Sequence, residues 1–205
     1  MEFMRTALFL ALPLSVTALF AGEYSADDRD ALLSRLEDSR LQLIVTTESI
    51  THKQSQWTPD SNRWTILQVM EHIALTEDYL FGILEKTLGE SQPVADSVKL
   101  PDPSEKDRMI TKMMTDRSQK ATAPEPARPK DKFRNRDEAM LAFTRSREKT
   151  ANFVRTTKLD LRRYKIKTPM GDLDAHQWIL MMAGHTERHV LQIAEVTQHQ
   201  MYPRE

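Results

Sequence analysis

A chain of 205 residues can build one domain with a substantial core and leaves little room for two. Its 29 Lys and Arg stand against 30 Asp and Glu, so no overall basic field draws it to nucleic acid or anionic lipid. The absence of cysteine excludes disulfides, thiolate metal sites and a cysteine nucleophile, which leaves His, Asp and Glu to hold any metal ion. Only five glycines occur among abundant Leu, Ala, Met, Glu, Lys, Arg and Gln, a composition that points to helices joined by proline-marked breaks.

The uncharged run from Thr6 to Phe20 follows Arg5 and gives way after Ala21-Gly22 to the polar stretch EYSADDRD, the layout of a secretory signal. Residues 1–21 are therefore expected to be a signal peptide and residues 22–205 the mature domain. That domain would be exported, periplasmic or extracellular, with no stable membrane insertion after cleavage. A permanent N-terminal membrane anchor is the alternative. The shortness of the apolar run and Pro13 in its middle weigh against it.

Ser25 and Asp28 have capping-box spacing, and Leu32, Leu33, Leu36, Leu43 and Ile44 recur at helical intervals, so a first helix is expected to about Lys53. Pro59, Asp60 and Asn62 mark a loop. Thr65 and Gln68 open a second helix, which buries Ile66, Val69, Met70, Ile73 and Leu84 and ends near Gly89. After a proline-bearing connector, Ser104 is expected to cap a shorter helix to about Lys120. Three prolines then make 121–133 an exposed loop with solvated Lys and Arg. Asn135 and Glu138 cap a helix to about Thr157, and Asp174 and Gln177 cap the last one, through Gln198. The sum is an all-α, antiparallel four-helix bundle with one extra short helix and a long crossover connection in the middle of the chain.

His185 and His189 lie four residues apart and continue the apolar stripe of Trp178 and Met182, so on a helix both face inward and can address one ion. Two unrelated surface histidines are the plainer reading of the spacing. Buried neutral imidazoles, however, need partners for their nitrogens, and a shared metal supplies them. Catalytic zinc sites commonly use three protein ligands, and His72, on the border of the second helix's buried face, is the best third candidate. A lone histidine there is otherwise a core or boundary residue. His176 in the first turn of the last helix is expected to face solvent or assist the cap, with His52 and His199 at helix ends. Glu71 directly precedes His72 and Glu187 lies two residues from both His185 and His189, which turns them about 100° and about 200° away on their helices. Trp64 and Trp178 could line a pocket, with packing the commoner role for such aromatics.

Trp64-Thr65, then Glu71-His72, and near the C-terminus Met182-Ala183-Gly184-His185-Thr186-Glu187-Arg188-His189-Val190-Leu191-Gln192-Ile193 resemble the two signatures of DinB/YfiT-like proteins. The resemblance spans roughly residues 26–200 and carries little between 90 and 135. It implies a four-helix bundle in which His72, His185 and His189 bind one divalent metal cation, commonly zinc or nickel, often in a homodimer. Leu191 departs from the glycine that many members place before the Gln, and the signal-like leader departs from the cytoplasmic setting of the best-known members.

Three imidazoles around an open coordination position suit metal-dependent hydrolysis of a small-molecule substrate that the sequence does not identify. The alternatives are a metal-dependent thiol transferase, which export would separate from cytoplasmic thiol cofactors, and a non-catalytic metal-binding or interaction module. No catalytic residue beyond the ligands is assigned, and no Ser-His-Asp set, phosphate loop or Gly-rich fingerprint occurs.

Overall fold

A computed structural model describes residues 23–169 and 171–204. The expected signal peptide lies outside them. Four long helices carry the fold: α1 (Ala26–Thr47), α3 (Ile66–Glu90), α5 (Arg136–Thr156) and α6 (Ala175–Thr197). Two shorter ones, α2 (His52–Ser55) and α4 (Ser104–Thr115), lie in the connections. None of the described helices is long and apolar enough to cross a membrane.

Local chemistry sets the helix starts. Thr65 with Gln68, and Asp174 with Gln177, form reciprocal capping boxes, while Ser25 and Asn135 accept from the backbone N–H of Asp28 and Glu138. The first helix stops earlier than its periodicity predicts. A third capping box, Thr51 with Gln54, starts α2 instead of letting α1 run to Lys53. The short helix also ends early, at Thr115, because the Asp116 carboxylate accepts from the Ser118 N–H and turns the chain. Its first residue is Ser104 itself, with Pro103 in the capping position. A two-residue antiparallel pair, β1 (Lys165–Ile166) with β2 (Leu173–Asp174), closes the turn before α6 around Gly171, whose φ of +106° suits glycine.

Around the bundle α1 packs on α5 and α6, and α3 packs on the same two. Long-range bonds give the directions. Arg29 near the start of α1 reaches carbonyls at Val154 and Thr157, while Arg136 at the start of α5 reaches Thr47 and Glu48, so α1 and α5 are antiparallel. His72 meets His185 while Trp178 donates to the Leu80 carbonyl, so α3 and α6 are antiparallel. The expected long crossover joins α3 to α5, and α4 within it lies along α6. Two apolar clusters fill the interior. One gathers Leu36, Phe81, Val154, Ile179 and Met182; the other gathers Leu43, Ile66, Ile73, Phe143 and Ile193.

The α4–α6 contact is close at Gly184, where an added Cβ would lie 2.8 Å from the Met114 Cβ. Alanine is ordinarily the better helix residue by about 0.8–1 kcal/mol, but here it forces α4 outward, and overpacking of this kind costs about 1–3 kcal/mol. Gly184→Ala is expected to lower stability in urea unfolding. A gain would show that α4 yields freely.

Candidate metal centre

The three histidines meet where the first third of α3 lies against the middle of α6. His72 lies two turns into α3, buried, and His189 is buried on α6 with His185 half-buried one turn before it. Their Nε2 atoms converge: His185 Nε2 is 3.2 Å from His72 Nε2 and 3.1 Å from His189 Nε2, and one donor atom from each ring falls within 4.8 Å of the others. Trp64 lies against His72 with ring centroids 4.9 Å apart and closes one side, whereas Trp178 is a core residue.

Hydrogen bonds fix the rings. The Nδ1 of His72 lies 2.6 Å from the Ala127 carbonyl and that of His189 lies 2.8 Å from Gln192 Oε1. A carbonyl oxygen only accepts, so each Nδ1 carries the proton and each neutral ring turns an Nε2 lone pair inward. His185 Nε2 can donate to one of these lone pairs at most. A protonated Nε2 therefore leaves the other lone pair, 3.1–3.2 Å away, without a donor, and an unprotonated one faces both lone pairs with its own; a cation shared by the three nitrogens relieves either arrangement. Bonds of about 2.0–2.1 Å in tetrahedral array would separate such nitrogens by about 3.3 Å. The donor set fits a divalent ion.

The surroundings keep the rings neutral. Burial lowers the pKa of His72, against the pull of the Ala127 carbonyl. Burial, and then the neighbouring His189 and His72, hold His185 well below the ordinary histidine range. Burial brings His189 down to about 3. Neutral imidazole is the form that binds metal.

The crossover supplies part of this support. Ala127 is buried in a 3-10 turn (Glu125–Ala127) of the segment expected to be an exposed loop. Its lysine and arginine side chains are largely solvated, yet the backbone N–H groups of Lys130 and Lys132 donate to the buried Glu71 carboxylate. Gln68 adds a bond to Asp131, whose φ is +57°. Glu71, next to His72 in sequence, thus anchors the strip of chain that bonds His72. Glu187 turns instead to α1, where Arg35 meets it at 2.5 Å. Neither carboxylate stands ready as a base at the histidines.

His176 corrects an expectation. It is buried, with Nδ1 2.5 Å from the Tyr24 hydroxyl, because the segment before α1 covers the first turn of α6, and burial lowers its pKa to about 4. Asp174 and Gln177, not His176, provide the side-chain cap. His52 is exposed at the start of α2, and His199 stacks near Trp57 beyond α6, both apart from the cluster.

Residues 35–193 match the DinB superfamily. The chain belongs to the DinB superfamily. Among solved structures it is similar to YfiT from Bacillus subtilis, described as a probable metal-dependent hydrolase with an unusual four-helix bundle topology. That likeness has a TM-score of 0.54 at 15% identity over 87% of this chain and 90% of that one, which establishes the shared fold. No curated protein matches the sequence. The DinB chain described here thus carries a three-histidine cluster on a bundle of the YfiT type.

Proposed function

We propose that this DinB protein is an exported metal-dependent hydrolase that holds one divalent cation, zinc or nickel, through His72, His185 and His189. The observation that carries the reading is the convergence of three Nε2 atoms, two of them aimed as lone pairs by Nδ1–H bonds to Ala127 and Gln192. Such partners orient ligand rings and raise their basicity. A divalent ion held by three imidazoles supplies a lowered pKa for water and polarisation of a carbonyl or phosphoryl oxygen. The chain itself contributes the fixed tautomers of His72 and His189, the neutral rings and the Trp64 side chain against His72. Export rests on the uncharged run and polar switch at Ala21-Gly22.

The test is elemental analysis of the mature protein, followed by ester, amide and phosphoester hydrolysis with the recovered metal. Stoichiometric metal and hydrolysis that a chelator abolishes and the same metal restores are expected. Bound metal with thiol transfer and no hydrolysis would move the assignment to the transferase alternative. Metal without turnover would leave a binding module.

A further inference from the structure

We propose that Arg147 is a positioning residue for the histidine site, acting through Thr186 to fix the height and rotation of α6 against α3; this rests on the metal reading above. Arg147 stands on α5, 2% exposed, and each of its five N–H donors has an acceptor. Nε donates to Glu77 Oε1 at 2.7 Å and Nη2 to Glu77 Oε2 at 3.0 Å, a bidentate pair with α3. Nη1 donates to the Leu36 carbonyl and to Ser39 Oγ, both at 2.6 Å, on α1. The last donor, on Nη2, reaches Thr186 Oγ1 of α6 at 2.9 Å. One guanidinium therefore touches all four long helices. Two of its acceptors lie on the helices that carry the ligands, Thr186 directly after His185 and Glu77 five residues after His72.

Apolar burial is non-directional, so it fixes the relative position of helices less sharply than a set of hydrogen bonds does. A metal site is less tolerant, since donor distances must fall within about 0.2 Å of their ideal values. The planar five-donor fork supplies that direction, and a lysine, with three donors on a flexible stem, cannot reproduce it. Buried ion pairs add little net stability over apolar residues of equal size, so a fully satisfied pair at this position is better explained by registration of the helices.

Thr186→Val tests the link with volume nearly unchanged and the Arg147–Glu77 pair retained, and Thr186→Ser restores the hydroxyl. Zinc affinity is measured on the mature chain by chelator competition, and cobalt is substituted to record visible absorption bands that report ligand geometry. Both are read where circular dichroism shows every variant folded. The valine variant is expected to bind zinc about tenfold more weakly, the size usual for second-layer partners of ligands, with displaced cobalt bands. The serine variant should match wild type in both. Equal affinity and spectra for valine, serine and wild type would overturn the proposal, as would equal loss in both variants. Should Thr186→Val not fold, the double variant Glu77→Leu with Arg147→Met serves instead: weakened zinc binding is expected, and wild-type affinity would overturn the proposal. A wild type that binds neither ion overturns the metal reading itself, and this inference with it.

Discussion

Replacing His72, His185 or His189 by alanine is expected to abolish stoichiometric metal binding, while replacing the exposed His52 leaves it intact. Each ligand variant removes one of three protein donors from a site whose geometry needs all of them. His176 is unsuitable as a neutral control, because it is buried against Tyr24 and its loss would disturb packing. Calorimetric titration with zinc and nickel, checked by elemental analysis, reads the outcome. The same stoichiometric ion in all three ligand variants would defeat the site. A pH effect accompanies it. The native state keeps these rings neutral, with His189 down at about 3, whereas the unfolded chain protonates them near 6.5. Their depressed values thus leave stability intact above about pH 6.5 and erode it as the pH falls from there towards about 3. Metal binding changes in the same direction, since an ion favours the neutral rings. Urea unfolding of the metal-free protein between those limits should show the decline, and His189→Asn should flatten it.

Glu77→Ala is expected to be the most damaging single change in the bundle core. It strands the Arg147 guanidinium in a place where both partners are 2% exposed. Breaking one side of a buried pair costs about 3–5 kcal/mol, which in a domain of this size lowers Tm by roughly 6–20 °C. The paired replacement Glu77→Leu with Arg147→Met removes both charges and should recover most of that loss. Thermal and urea unfolding of the two variants separates the cost of an orphaned charge from the worth of the pair. Equal losses in single and double variants would show that the Leu36, Ser39 and Thr186 contacts, not the charge pairing, dominate.

The features that repeat at helical spacing were legible in the sequence. Apolar periodicity and capping pairs at Thr65, Asn135 and Asp174 predict the long helices, and His185 with His189 on one face predicts half of the site. What stayed hidden depends on backbone or on distant chain. The Ala127 carbonyl that orients His72 has no side-chain signature, and alanine in a proline-rich stretch reads as loop. Glu71 is placed by helical spacing away from His72, correctly, but its partners are amides some sixty residues later. His176 looks exposed until Tyr24 folds over it. The early end of α1 was readable after all, since Thr51 and Gln54 carry the same capping spacing that marks the other helix starts. The β1–β2 pair is too short to show any alternation.

The separation of 113 residues between His72 and His185 gives the proposed ion a mechanical consequence. A metal shared by α3 and α6 would act as a cross-link between them, closing a loop of 113 residues in a protein that has no cysteine to form a disulfide. A permanent link over about 100 residues is worth about 4.7 kcal/mol in the chain-entropy description. An ion gives a reversible version, engaged only after the bundle has brought the two helices together. Interactions made that late in folding slow unfolding and leave folding speed nearly unchanged. Loss of the ion would then shorten the lifetime of the native state, which would show as faster irreversible inactivation.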